Sequence, residues 1–154
     1  MSVANIEIRD LPEQLTVVIR HWITMQEVGR IPGWLGETFG AIQRGGLTPA
    51  GVPFLRTLSM DTNGMDVEVG WPVATPFAGD GEIHASSLPA GPAAVATYYG
   101  PYDGIASAYA AVQTWCADHG REVAGPPWES YFTDSNGEPD QSKWRTDVHF
   151  PVRE

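Results

Sequence analysis

The sequence is short of positive charge and of cysteine, and each shortage removes a class of function. Nine Lys and Arg stand against nineteen Asp and Glu in 154 residues, a formal net charge of -10. Nucleic-acid affinity comes largely from cationic side chains neutralising phosphates, so direct nucleic-acid binding is not expected. A negative surface favours neutral or cationic organic ligands at a cleft, although a charge of this size is also an ordinary solubility device. The single cysteine, Cys116, has no partner for an intramolecular disulfide, so the fold needs no oxidising compartment and a cytoplasmic location is expected. One thiol cannot build a thiolate metal site, and His21, His84, His119 and His149 lack the close spacing of a zinc motif. No metal and no cofactor are expected.

Long apolar runs are missing too. None approaches the roughly 20 residues needed to span a bilayer, and no basic segment followed by an apolar stretch opens the chain, so neither a membrane span nor a secretion signal is expected. There is no Gly-x-Ser-x-Gly nucleophile elbow and no glycine-rich phosphate loop followed by Lys-Ser or Lys-Thr, which leaves serine-hydrolase and nucleotide readings without support. What the sequence has in quantity is glycine (17), proline (13) and aromatics (10%), with charged residues at only 18%. That profile suits a folded domain of short strands and turns rather than long surface helices. The 42% hydrophobic content fits one compact domain over 1–154, or two small halves sharing a core.

Periodicity divides the chain. Leu15 to Ile23 is rich in β-branched and aromatic residues and reads as a strand after a turn at Leu11-Pro12. Ile31, Trp34, Leu35, Thr38, Phe39 and Ile42 then form one stripe of an amphipathic helix that Gly45-Gly46 ends. Phe54 to Met60 and Met65 to Val73 read as a hairpin around Asp61-Thr62-Asn63-Gly64, with Asn-Gly supplying the positive φ angles of a tight turn. In its second strand Val67, Val69, Trp71 and Val73 alternate with Glu68 and Gly70, predicting one covered and one open face.

The same order recurs. Glu82 to Leu88 and Ala93 to Tyr99 read as strands around Leu88-Pro89-Ala90-Gly91, which echoes Leu11-Pro12. Asp103 is placed to cap a helix with the stripe Ile105, Ala108, Tyr109, Val112 and Cys116, stopped by Gly120. Cys116, on that stripe, is expected to be packed rather than reactive. Trp128 to Thr133 and Lys143 to Val152 form another hairpin around Asp134 to Ser142. Val69-Gly70-Trp71-Pro72-Val73 and Val148-His149-Phe150-Pro151-Val152 share an aromatic-Pro-Val ending, so the chain reads as an internal duplication, with pseudo-repeats at about 1–77 and 78–154. The expected fold is α+β: two antiparallel sheets side by side around a pseudo-twofold axis, leaving a central groove, with the helices on the opposite face.

Glu129 is the residue that asks for an explanation. It stands among Trp128, Tyr131 and Phe132 in a strand-like run, and a buried, unpaired charge costs several kcal/mol. The ordinary alternative is a solvated strand glutamate or one bonded to a neighbouring hydroxyl. Strand alternation puts Tyr131 on the same face, with Trp128, Ser130 and Phe132 opposite.

Gly100-Pro101-Tyr102-Asp103, Pro127-Trp128-Glu129-Ser130-Tyr131, and Glu138-Pro139-Asp140 before Trp144-Arg145-Thr146-Asp147-Val148 together resemble the GyrI-like small-molecule-binding family across essentially the whole chain. The module is similar to the effector-binding domains of AraC-type and MerR-type multidrug regulators and also stands alone. No helix-turn-helix pattern precedes it here, so a DNA-reading part is not expected. The resemblance implies duplicated β-α-β-β halves of the SHS2 type enclosing an aromatic-lined cavity with a glutamate at its floor. On this chain that glutamate is Glu129.

Three functions follow from the resemblance. One is binding of hydrophobic, often cationic or toxic small molecules. A second is hydrolysis of strained cyclopropane-type electrophiles, with Glu129 and Tyr131 as the catalytic pair. The third is inhibition of DNA gyrase as a protein partner. A carboxylate ringed by aromatics has its anionic form disfavoured and holds a proton near neutral pH, while aromatic faces attract cations by roughly 0.5–2 kcal/mol each. Tyr131 is the expected hydroxyl partner; Tyr98 or Tyr99, Trp71, Phe54 and Trp22 are expected in the aromatic wall, and Trp34 overhangs it if the preceding loop folds in. Tyr102 and Asp103 read first as turn and helix cap. No residue encodes a particular ligand or an oligomeric state.

Overall fold

A computed structural model describes residues 2–134 and 137–154. It is α+β, with eight antiparallel strands and two α-helices in the order β1 (Ser2–Leu11), β2 (Gln14–Ile23), α1 (Ile31–Arg44), β3 (Phe54–Met60), β4 (Met65–Pro72), β5 (His84–Leu88), β6 (Gly91–Tyr99), α2 (Ile105–Asp118), β7 (Trp128–Tyr131) and β8 (Arg145–Pro151). Each half of the sequence therefore supplies strand, strand, helix, strand, strand. The compact units are divided differently: Glu13–Pro89 is one, and Met1–Pro12 with Ala90–Glu154 is the other. The leading strand of each half is thus exchanged, β1 pairing with β6 and β5 with β2. Both boundaries fall at the echoed Leu-Pro pairs, where proline lacks an N–H to continue a ladder.

In Glu13–Pro89 the strand order is β3-β4-β2-β5. Pro32 opens α1, whose buried residues are Trp34, Thr38, Ala41 and Ile42, and Gly46 follows its end at φ +75. The face of β2 and β4 carrying Val17, Ile19, Val67 and Val69 is sealed from water, and the indole Nε1 of Trp71 donates to the Leu35 carbonyl at 3.0 Å, tying α1 to the sheet. The open face expected of β4 is not open: Glu68 and Gly70 are buried along with their valine neighbours. Phe54 pairs with Gly70 and Arg56 with Glu68, and the Arg56 guanidinium reaches β5, donating to the Ser87 carbonyl at 3.3 Å. Glu68 accepts from the Ser86 hydroxyl at 3.1 Å. Gly70 is required for closeness, because a Cβ there would collide with the Val17 backbone. The hairpin turn also closes differently from expectation. Neither Asn63 nor Gly64 has a positive φ; instead the Asp61 carboxylate accepts from both their amides, at 2.7 and 3.1 Å.

The other unit has the order β1-β6-β8-β7. Ala108, Val112 and Cys116 of α2 are packed with Ala94, Ala96, Tyr98, Val148, Phe150 and Val152, joined by Ile6 and Ile8 of β1. Gly120 ends the helix at φ +67. Asp103 is not the expected cap: a single 3-10 turn over Tyr102–Gly104 precedes the helix, so the cap position moves to Gly104, with no side-chain bond. The strands start or stop within two residues of the expected bounds. Of the connection expected over Asp134 to Ser142, Ser135 and Asn136 lie outside the described residues.

Candidate functional site

Glu129 is the second residue of β7, and the ladder with β8 is regular: Trp128 pairs with His149, Glu129 with Val148, Ser130 with Asp147 and Tyr131 with Thr146. Val148 belongs to the core under α2. Glu129 and Tyr131 therefore share the helix-bearing face, and Trp128 and Ser130 take the other. The acid expected in a groove opposite the helices instead faces α2.

That helix delivers the second tyrosine. The Tyr109 hydroxyl donates to Glu129 Oε1 at 2.5 Å. The Tyr131 hydroxyl bonds the same carboxylate. Phe150 lies edge-on to Tyr109 with ring centroids 5.5 Å apart, and Tyr102 lies edge-on to Tyr131 at 5.6 Å. Trp144 packs on Tyr102 at 5.1 Å and is fixed by its Nε1, which donates to the Glu138 carbonyl at 2.8 Å. Two tyrosines thus reach the acid, and Phe150, Tyr102 and Trp144 extend the ring contacts outward from those tyrosines.

Burial is the largest influence on Glu129 and lifts its pKa above the ordinary carboxylate value; the two tyrosine hydroxyls oppose it by stabilising the anion, without cancelling it. Burial, and next the adjacent carboxylate, push both tyrosines above their usual range, so both stay protonated donors. Glu129 and Tyr131 are half-buried as whole residues, and the carboxylate itself is poorly solvated. Such a group can store a proton, balance an organic cation, or direct a water molecule.

On the opposite face Trp128 is buried and stacks on His149, centroids 4.9 Å apart. Burial lowers the His149 pKa to about 4 against the opposing influence of Asp147, which keeps the imidazole neutral at physiological pH. Asp147 itself is buried, accepting from Thr97 at 3.0 Å and from Arg145 at 3.1 Å.

The other residues expected in the wall are placed as follows. Tyr98 is fully buried in the core, its hydroxyl donating to the Pro101 carbonyl at 2.8 Å, and so secures the turn that carries Tyr102. Tyr99 is exposed on the other face of β6. Trp71, Phe54, Trp22 and Trp34 belong to Glu13–Pro89. There Trp71 anchors α1 and packs on Phe39, and Phe54 is buried opposite Gly70 in the β3–β4 ladder. Trp34 is buried against His21, with the Arg30 guanidinium over its ring, and Trp22 is exposed. Tyr109, Trp144 and Phe150 were not anticipated at the acid. The sequence did hold one signal for Tyr109, since a tyrosine within a buried helical stripe needs a partner for its hydroxyl.

The surface depression beside α1, lined by Gly36, Gly40, Asp80 and Glu82 and bridged by an Arg44–Asp80 ion pair of 2.8 Å, is open and polar and contains no aromatic ring. The arrangement at Glu129 is the better candidate. Among the described residues no group of three or more His, Cys, Asp or Glu is placed to hold a metal ion, and no helix is long and apolar enough to cross a membrane.

Comparison with known proteins places the fold. The chain superposes on the C-terminal domain of EcmrR with a TM-score of 0.84 at 25% identity, covering 99% of this chain and 98% of that one. In the EcmrR–DNA complex the match covers 57% of the longer EcmrR chain. SAV2435, solved bound to tetraphenylphosphonium, shares the fold at 15% identity and a TM-score of 0.65, with 97% and 94% of the two chains covered. A hydrolase from Listeria innocua does so at 12% identity and 0.63, covering 96% and 91%. No curated protein sequence matches the chain. The family description that does match, over residues 4–153, is the GyrI-like small molecule binding domain, and this chain belongs to that family.

Proposed function

We propose that the Glu129 site binds hydrophobic small molecules, organic cations above all, with the carboxylate as counter-charge and Tyr102, Tyr131 and Trp144 as the stacking surface. The observation that carries this reading is the desolvated acid held by two tyrosine hydroxyls, with Tyr102 packed on Tyr131 and Trp144 on Tyr102. An arriving cation stabilises the ionised form that burial disfavours, and each aromatic face adds roughly 0.5–2 kcal/mol. Tetraphenylphosphonium, the ligand of the similarly folded SAV2435, is a suitable probe because its charge is permanent and its surface apolar.

Titration of the purified protein with tetraphenylphosphonium, followed by tryptophan fluorescence, tests the proposal. Glu129→Gln keeps size and hydrogen bonding but removes the charge, and is expected to weaken the cation roughly 10- to 100-fold while sparing neutral aromatic ligands. Cation affinity should also rise with pH as Glu129 ionises, and that slope should vanish in the variant. Equal loss of cations and neutral ligands would refute the counter-charge role.

A second reading, hydrolysis of strained electrophiles, is favoured by the convergence of two hydroxyl donors on one acid. Glu129 would take a proton from water as its oxygen bonds to a cyclopropane-type carbon. The ring C–C bond breaks, its electron pair moves to a conjugated oxygen, and the proton that Glu129 took from water passes through a tyrosine hydroxyl to that oxygen, returning both residues to their starting states. A gain in ligand mass of one water, lost in Glu129→Gln, is the expected sign of this reaction, and turnover unchanged in the variant rules it out.

A further inference from the structure

The β3–β4 turn joins two residues whose adjacency makes an amide labile. In an Asn-Gly pair the glycine nitrogen can attack the asparagine side-chain carbonyl, because no Cβ stands in the way. Asn63 is exposed to water, and the buried Gly64 follows it. No larger residue fits at Gly64: a Cβ there would lie 2.3 Å from the Ile23 carbonyl oxygen and 3.0 Å from the Trp22 indole nitrogen. The close approach of the turn to β2 therefore keeps the labile pair in place.

The same turn carries a restraint. Asp61 Oδ1 accepts from the Asn63 amide at 2.7 Å and from the Gly64 amide at 3.1 Å, and the Asp61 amide donates to the Gly64 carbonyl at 2.9 Å. Attack requires the Gly64 nitrogen to give up its proton and turn toward the Asn63 side chain. A carboxylate bonded to that N–H opposes both, since its charge disfavours an anionic nitrogen and the bond fixes the nitrogen's direction.

We infer that Asn63 is a deamidation site and that Asp61 is the residue that restrains it. Once the bond to Asp61 is broken, the Gly64 nitrogen loses its proton to solvent and bonds to Cγ of Asn63. The side-chain nitrogen takes a proton from solvent and leaves as ammonia, and a cyclic imide remains. Water then adds to one imide carbonyl, its hydroxyl going to carbon and its other hydrogen to the Gly64 nitrogen. Opening at Cγ gives aspartate. Opening at the main-chain carbonyl gives isoaspartate, with one extra carbon in the backbone. Gly64 already lies against β2, so the isoaspartate form forces the turn away from Ile23.

Incubation at neutral pH, then cleavage after Arg and Lys and mass spectrometry, tests the inference. Asn63 falls on fragment 57–121, apart from the Asn136-Gly137 pair on fragment 122–143. The folded wild type should exchange amide for acid at Asn63 about 10- to 100-fold more slowly than the same chain in urea, the protection of one hydrogen bond to a charged acceptor. Asp61→Ala should lose most of that protection while still folded. Asp61→Asn, which keeps an acceptor oxygen without the charge, should fall between the two. Gly70→Ala, which disturbs β4 away from the turn, should react at the wild-type rate.

A wild type that converts as fast as the unfolded chain overturns the inference, and so does an Asp61→Ala variant no faster than wild type. If Asp61→Ala is unfolded at the assay temperature, Asp61→Asn decides, and a rate equal to wild type overturns the inference. Equal acceleration in Gly70→Ala and Asp61→Ala also overturns it, assigning the rate to opening of the sheet rather than to Asp61.

Discussion

At the scale of single residues, Glu129 and His149 carry opposite pH signatures. The folded chain holds His149 at about 4, below the 6.5 of an unperturbed imidazole, so the unfolded chain takes up a proton first on acidification. The stability this neutral ring contributes is present above 6.5 and is lost as pH falls toward 4, by about 3 kcal/mol for a shift of this size. Glu129 has the reverse sign. Its raised pKa means the folded chain binds the proton more tightly, so stability declines as pH rises from the ordinary carboxylate value through the raised one. Denaturant melts from pH 7 to 4 should therefore show wild type losing stability, with most of that loss absent in His149→Phe, which preserves the stack on Trp128. A variant that loses as much as wild type would show that His149 does not titrate in this way.

At the scale of elements, the close approach of β2 and β4 depends on Gly70. A Cβ there meets backbone rather than a movable side chain, so Gly70→Ala must push the paired β2 and β4 away from each other. The expected cost is about 1–3 kcal/mol, a fall of several degrees in the thermal midpoint. An unchanged midpoint would mean that the strands separate at little cost.

The elements also show what periodicity can and cannot reveal. The stripes of α1 and α2 and the alternation that aligns Glu129 with Tyr131 are local patterns, readable because helix and strand repeats are fixed. The bond from Tyr109 to Glu129 joins a helix to a strand twenty residues on, and no local pattern contains it. The covering of Glu68 depends on Arg56 reaching from β3 to Ser87 on β5, which alternation along β4 cannot express. Asn63-Gly64 looked like the source of positive φ because that pair often is, yet Asp61 closes the turn with its side chain.

At the scale of the whole molecule, the net charge of -10 acts at a distance on the approach of ligands. Stopped-flow association of tetraphenylphosphonium should slow as ionic strength rises, while a neutral aromatic ligand keeps its rate. Equal salt dependence for the two would assign the effect to something other than surface charge. The repeated order of elements was legible at this scale. The exchange of β1 and β5 was not, because the sequence orders the strands without stating which of them pair.

That exchange sets a timetable for the chain's birth. Glu13–Pro89 is continuous, so the ribosome releases every strand of that unit in one uninterrupted stretch, and it can close as soon as β5 has emerged. β1 leaves first and waits longest: its partner β6 is made only after the entire intervening unit, and Glu129 and Thr146 come later still. Until then Ile6 and Ile8 have no sheet to join. The surroundings of Glu129 are thus the last region of the protein to be assembled, and a nascent chain cut short before β8 would contain one finished unit and an acid without its β8 neighbours.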